Sequence, residues 1–327
     1  MCAYKIKNII TIGASAGGLS AVGNLIGSFT AEVDAAVFIV IHISRNSMTS
    51  VIINDFQKRT HFRCMVPANG DPIKHQTIYL APADHHMMIE NDKILITSGA
   101  FENHWRPSID VLFRSAAAAY GACVTGIILT GLLDDGTSGM SAIKRSGGRL
   151  IVQDPEEADF PDMPYSVLRN MEVDYKVPIN EIGYILLDLL SRSDCDVNDI
   201  PSDVKLEARI TRRMSSNIED MEKLGQMTSL TCPDCGGVLF KVQNDLVPRF
   251  RCYTGHSFTE NILENEQIKG MEDSLWVAIR MMEERRNLLN NMESYHDSAK
   301  MERSEQINIH IERLKKMLID LGSEPAN

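Results

Sequence analysis

The sequence predicts a doubly wound, mostly parallel α/β sandwich, followed by a small zinc-ribbon-like module and C-terminal helices. Three observations predict it. Ile9-Ile10-Thr11-Ile12, Val37-Phe38-Ile39-Val40-Ile41 and Val124-Thr125-Gly126-Ile127-Ile128-Leu129-Thr130 are short, near-continuous apolar runs, as strands buried on both faces require. Each run breaks into a polar, turn-forming segment. The 327 residues are long enough for a domain over 1–190 with accessories behind it.

The first run leads into Gly13-Ala14-Ser15-Ala16-Gly17, which holds the Ser15 hydroxyl at a strand-to-helix turn. Small neighbours let the chain turn sharply and a carbonyl approach, and amides opening the next helix face developing negative charge. A glycine-rich turn that binds phosphate or merely packs is the competing reading. The second run ends at His42, where a dinucleotide site would carry an acid. The third runs into Gly131-Leu132-Leu133-Asp134-Asp135-Gly136. Serine, histidine and aspartate thus each follow a strand, and in a parallel sheet such ends share one edge. Of the two adjacent acids Asp135 is selected, because Gly136 lets the chain turn beside it, whereas Asp134 suits a solvated loop. The three form a candidate Ser–His–Asp triad.

These residues also carry a resemblance. Ile12-Gly13-Ala14-Ser15-Ala16-Gly17-Gly18, Val40-Ile41-His42, Ala81-Pro82-Ala83-Asp84-His85-His86 and Arg106-Pro107-Ser108-Ile109-Asp110 match the CheB methylesterase family in order and spacing. So do Leu129-Thr130-Gly131 with Asp135-Gly136, Gly147-Gly148, Gln153-Asp154 and Met163-Pro164, over roughly residues 5 to 190. The resemblance implies a Rossmann-like methylesterase fold. It also implies hydrolysis of protein glutamate γ-methyl esters to glutamate and methanol, and in some members glutamine deamidation. Its triad falls on Ser15, His42 and Asp135, and it implies oxyanion donors at the amides of Ala16 and Leu132. The implied partners are a methylated chemoreceptor or another glutamate-methylated protein, with a cognate methyltransferase. Chemotaxis members usually carry an N-terminal receiver domain. Here the first strand starts within a dozen residues, so control in cis by phosphorylation is not expected. A catalytically idle scaffold that binds a signalling partner through the tail is the alternative.

Asp and Glu number 44 against 33 Lys and Arg, a net charge of −11, which argues against nonspecific nucleic-acid binding. No signal peptide and no apolar run of about 18 residues is read, so a cytoplasmic protein without membrane insertion is expected. Of seven cysteines, Cys2, Cys64, Cys123 and Cys195 are scattered and read as reduced thiols. Cys232, Cys235, Cys252 and His256 differ, since CxxC followed by Cys-x3-His has the spacing of a structural zinc site with all four positions filled by protein. Catalysis needs no cofactor.

Residues 191–229 lose hydrophobic periodicity and collect Ser, Asp and Asn, as a linker does, with a short helix as an alternative for the later part that includes Arg212-Arg213 and Asp220-Met221-Glu222-Lys223, and 230–260 form the zinc module. Over 261–327, Leu275, Ile279, Met282 and Leu289, then Ile307, Ile311, Leu314, Leu318 and Leu321, fall at helical spacing. Two helices follow, paired as an antiparallel hairpin or joined in a dimer through that stripe. The adjacent His85 and His86 point to opposite sides of an extended segment, which fits a loop flanking the crevice better than a metal site. His104, Trp105 and Arg106 precede the helix start at Pro107-Ser108 and read as pocket wall, with Arg106 orienting an acidic protein substrate.

Overall fold

The computed structural model describes residues 8–30, 33–45, 47–192, 195, 200–291 and 298–322. Cys2, Asn46, Ser193, Asp194 and residues 196–199 of the expected linker lie outside these. The apolar runs become β1 (Ile9–Ala14), followed by α1 (Gly18–Gly27), and β2 (Ala36–Ile41), followed by α2 (Thr49–Arg59). The chain continues through β3 (Arg63–Met65), β4 (Thr77–Leu80), the hairpin of β5 (His86–Glu90) and β6 (Lys93–Thr97), and α3 (Ile109–Tyr120). Then come β7 (Val124–Ile128), α4 (Thr137–Arg145), β8 (Arg149–Gln153), α5 (Asp162–Asn170), β9 (Tyr175–Val177) and α6 (Ile179–Arg192).

Seven strands form one sheet in the order β3-β4-β2-β1-β7-β8-β9, every pair parallel. Because side chains alternate across a strand, β2 sends Ala36, Phe38 and Val40 into one apolar layer and Val37, Ile39 and Ile41 into the other. Leu112 and Phe113 of α3, Met140 and Ile143 of α4 and Val167 of α5 complete the first layer. Val22, Leu25 and Ile26 of α1, Phe56 of α2 and Ile182 and Leu186 of α6 complete the second. Connections from β1 run outward to β2 on one side, and β7 lies on the other. The carboxyl ends of β1, β2 and β7 therefore border the topological switch point, where a crevice opens.

In place of an extended linker the chain forms two helices, α7 (Ser202–Arg213) and α8 (Ile218–Leu224), the second over the stretch where a short helix is the alternative reading. They lead into an antiparallel sheet of β10 (Gly225–Thr231), β11 (Val238–Val242), β12 (Arg249–Cys252) and β13 (Ser257–Thr259). Leu206, Ile210, Met221, Leu224 and Phe240 form a small core here. Residues Met1–Glu260 make up one compact unit, so this sheet is not a module on a tether.

Ions supply much of the junction. Arg251 Nη1 donates to Glu102 Oε1 at 2.7 Å and Glu207 Oε1 at 3.0 Å, and Arg114 Nη1 donates to Glu102 Oε2 at 3.0 Å. Arg249 pairs with Glu207 and Asp245. Three guanidinium groups and three carboxylates, each with its side chain at most 5% exposed, thus lie together and balance in charge. Burial alone would raise the Glu102 carboxyl, but Arg114 and Arg251 hold it down at about 2.

A second correction concerns cysteines. Cys123, just before β7, and Cys195 form a disulfide with Cα atoms 5.3 Å apart, rather than two reduced thiols. Chain folding brings these sulfurs together across 72 positions, which their spacing in sequence does not reveal.

The second unit, Asn261–Asn327, contains most of α9 (Glu260–Asn291) and all of α10 (Ser298–Gly322). Arg286 Nη1 donates to Asn308 Oδ1 at 2.8 Å and Ser304 Oγ to Asn290 Oδ1 at 2.8 Å. The reversed order of these pairs makes an antiparallel hairpin, with Ile279 and Ile311 buried. No helix among the described residues is long and apolar enough to cross a membrane.

Candidate active site

Gly17, with φ of 74°, caps α1 in the left-handed region that a side chain would resist, and the chain turns there two residues after Ser15. Gly136, with φ of 98°, does the same ahead of α4, immediately after Asp135. The Ser15 amide donates to the Thr130 carbonyl at 3.0 Å and the His42 amide to the Ala14 carbonyl at 3.1 Å, so the ends of β1, β2 and β7 are laced together.

Their side chains meet. His42 Nδ1 lies 3.2 Å from Ser15 Oγ, and His42 Nε2 lies 2.9 Å from Asp135 Oδ2. A carboxylate only accepts, so Nε2 carries the ring proton and Nδ1 presents its lone pair to the serine hydroxyl. Imidazole and carboxylate are both buried, at 0% and 1% side-chain exposure.

Asp135 sits at the amino end of α3. Its Oδ2 accepts from the Ile109 amide at 2.7 Å, and its Oδ1 from Ser108 Oγ at 3.0 Å, the Asp110 amide at 3.4 Å and Asn103 Nδ2 at 3.3 Å. Burial favours the protonated acid, but the bonds from His42, Ile109 and Asn103 outweigh it and leave the carboxyl below its usual range. Asp110 goes the other way: burial and the neighbouring charge of Asp135 raise it well above the carboxylate range.

The Trp105 indole stacks on His42, with ring centroids 3.9 Å apart and planes 7° apart. Thr130 Oγ1 donates to the Ala16 carbonyl at 3.1 Å, and the Thr130 amide donates to Gln153 Oε1 at 2.9 Å, so the turn after Ser15 is braced from β8. Among the described residues the amides of Ala16 and Leu132 have no protein acceptor. Arg106 does not offer a free charge. Its Nε and Nη2 donate to Asp84 Oδ1 at 3.1 and 2.9 Å, Nη1 donates to the Gly99 carbonyl at 3.0 Å, and the guanidinium lies 4.4 Å from the Phe101 ring centroid. The expected role in orienting an acidic substrate thus meets a cation already compensated by Asp84.

Among the described residues, neither of the adjacent histidines lies in a cluster of potential metal ligands. His86 opens β5 instead of lying in a loop, and it is buried, with Nε2 on the Ala100 carbonyl at 2.9 Å and Nδ1 accepting from the Ser108 amide at 3.2 Å. His85 Nδ1 bonds the Ala83 carbonyl at 3.0 Å. A cavity of about 620 Å³ lined by Ile89, Tyr120, Cys123 and Arg209 includes none of the three triad residues.

Asp134 is not the solvated loop acid its position suggested. Its Oδ2 accepts from Thr259 Oγ1 at 2.6 Å, and Oδ1 is buried without a partner among the described residues. Burial pushes this carboxyl up to about 6, against the pull of the Thr259 hydroxyl. A folded-state value above the ordinary 3.8 gives stability that is present below 3.8 and lost as pH rises through about 6. Asp134→Asn is therefore expected to gain on the wild type by about 2–3 kcal/mol between about pH 4 and pH 7. Urea midpoints at the two pH values check this, and a difference independent of pH would contradict it.

Away from the crevice, Cys232 and Cys235 lie between β10 and β11, Cys252 ends β12 and His256 precedes β13. Their four ligand atoms lie within 4.8 Å of one another. Cys235 Sγ is 3.8 Å from Cys252 Sγ, and His256 Nδ1 is 3.7 and 3.6 Å from the sulfurs of Cys232 and Cys252. A tetrahedron with metal–sulfur bonds of about 2.3 Å has sulfur–sulfur edges of about 3.8 Å. The donor set and its spacing fit a four-coordinate metal.

Fold and site together define an α/β protein with a serine–imidazole–carboxylate array at the carboxyl edge of a parallel sheet. A family model described as CheB methylesterase matches residues 10–186. The chain belongs to the CheB methylesterase family. A relative from Methanosarcina mazei, named protein-glutamate methylesterase/protein-glutamine glutaminase 2, is 35% identical over 187 residues, covering 55% of this chain and 51% of the relative. A shorter relative from Leptospira interrogans is 34% identical over 181 residues, covering 55% of this chain and 93% of its own length. The crystal structure of the Thermotoga maritima CheB methylesterase catalytic domain superposes with a TM-score of 0.53 at 27% identity, covering 56% of this chain and 98% of that one. The chain spans about half the length of the Methanosarcina mazei and Methanosarcina barkeri relatives, at 51% and 53%.

Proposed function

We propose that this chain hydrolyses γ-methyl esters of protein glutamates, releasing methanol and leaving the carboxylate. The observation that carries this reading is the unbroken hydrogen-bonded path Ser15–His42–Asp135 at the switch point of a CheB-family fold. In the mechanism, Ser15 Oγ attacks the ester carbonyl while His42 Nδ1 takes its proton, and Asp135 stabilises the imidazolium through Nε2. The oxyanion faces the amides of Ala16 and Leu132, donors without a protein acceptor among the described residues. The imidazolium returns its proton to the departing methoxide, and the same nitrogen then activates a water that cleaves the acyl-serine. A glutamine side chain would follow the same course with ammonia leaving. The substrates are a methylated chemoreceptor or another glutamate-methylated protein, and the setting is cytoplasmic signalling.

Incubating the full chain with cell proteins carrying labelled methyl esters tests this. Release of labelled methanol from discrete bands is expected, and retention of label on every band would overturn the reading.

The Cys3His cluster holds structural zinc in the same proposal. All four donors come from protein, so no position is left for a reacting water. Elemental analysis of the full chain is expected to find about one zinc per molecule, falling in a Cys235→Ser variant. A metal-free preparation that keeps the β10–β13 amides protected from exchange would count against it.

A further inference from the structure

We infer that the antiparallel sheet outside the family match is a positioning element for the triad. It acts through the turn Glu102–Trp105, which makes Asn103 a positioning residue for Asp135 and Trp105 one for His42. This rests on the esterase reading of the same site.

The turn is closed at both ends, with the Trp105 amide donating to the Glu102 carbonyl at 2.9 Å and the Glu102 amide to the Trp105 carbonyl at 3.4 Å. Both residues between them are left-handed, Asn103 with φ of 50° and His104 with φ of 66°. Two successive non-glycine residues in that region persist only where the surroundings over-determine them.

Strand β13 supplies those surroundings. The Asn103 amide donates to the Ser257 carbonyl at 2.8 Å, Asn103 Oδ1 accepts from the Thr259 amide at 3.2 Å, and His104 packs edge-on against Phe258. Below the turn, Arg251 of β12 holds the Glu102 carboxylate. With its oxygen fixed by the sheet, the Asn103 amide group can aim Nδ2 only at Asp110 Oδ2, 3.0 Å away, and Asp135 Oδ1, 3.3 Å away. Two residues on, the Trp105 ring covers His42. Thr259 also reaches the neighbour of the triad acid, through Asp134. Through Asn103 and Trp105, one short strand thus bears on where both the imidazole and the carboxylate sit.

That strand begins directly after His256, whose carbonyl accepts the Cys252 amide at 3.0 Å. The metal cluster therefore fixes the end of β13 that approaches Asn103. When the four ligands are released, β13 keeps the buried Phe258 and its ladder to β12 but loses the anchor at its first residue. The start of β13 then shifts, the left-handed pair relaxes, and Nδ2 and the indole move off the triad.

The full chain carrying Trp276→Phe tests this, because Trp105 is then the one tryptophan of two that remains. An imidazole stacked on an indole quenches its emission, so emission reports the His42–Trp105 contact directly. A fluorophosphonate probe reports Ser15 reactivity without a known substrate. Chelating zinc from the loaded protein is expected to change Trp105 emission and slow Ser15 labelling about 10- to 100-fold, with zinc restoring both. Asn103→Ala, with zinc retained, is expected to slow labelling comparably and lower kcat with KM unchanged, and chelation should then add little.

Unchanged emission and labelling after zinc is lost and β13 is open to exchange would overturn the inference. So would Asn103→Ala labelling at the wild-type rate, the arm that decides if chelation unfolds the whole chain by circular dichroism. Should Ser15 never label while Trp105 emission still follows zinc, the esterase reading fails and the positioning link stands.

Discussion

Ser15→Ala is expected to lower ester turnover by about 10³-fold or more while leaving the fold intact. The hydroxyl takes the acyl group in the proposed mechanism, and alanine retains only the amides and the binding surface around it. Among the described residues the Ser15 Oγ bonds only His42 Nδ1 and makes no bond to the core, so the urea midpoint should not move. Methanol release from a methylated protein measures the loss. A variant that released methanol at the wild-type rate would show that another group carries the reaction.

Arg251→Met is expected to cost about 3–5 kcal/mol of stability at neutral pH. The guanidinium separates Glu102 from Glu207 and donates to both, and to Thr211 Oγ1 at 3.0 Å. Removing it leaves two buried carboxylates with one fewer cation between them. The wild-type Glu102 is held at about 2, so in the wild type its pairing stabilises above the ordinary 4.5 and is lost as pH falls through about 2. The deficit of the variant should therefore shrink below about pH 4, where its unpaired carboxyls take up protons. Urea unfolding at neutral and acid pH measures both quantities. A loss under about 1 kcal/mol at neutral pH would place this network among surface-like pairs.

The strands that frame the crevice were legible because β1, β2 and β7 are buried on both faces and read as unbroken apolar runs. Ser15, His42 and Asp135 were legible for the same reason, each ending such a run. Trp105 was legible as pocket wall and stacks on His42, but the other residues that hold the triad were not. Asn103 lies 32 positions from Asp135 and 156 from Thr259, and its conformation is set by the partner strand rather than by its neighbours. Helix α7 was missed on physical grounds as well. Its buried face includes Glu207 and Thr211 beside Val204, Leu206 and Ile210, so the apolar period breaks where the core is ionic. The acid Asp134 was misread because nothing within the loop signals that Thr259 will cover it. The pairing of Cys123 with Cys195 had no local signal at all.

The buried ion group sets a limit on how this polypeptide can be cut. Glu102 and Arg114 lie inside the span that matches the family, whereas Glu207, Arg249 and Arg251 lie beyond it. A truncation at residue 186 would leave Glu102 and Arg114 only each other, without Arg251 and Glu207, and bare the underside of α3. For this member, the shortest stretch that retains every partner of Glu102 and Asn103 ends after Thr259 rather than where homology stops.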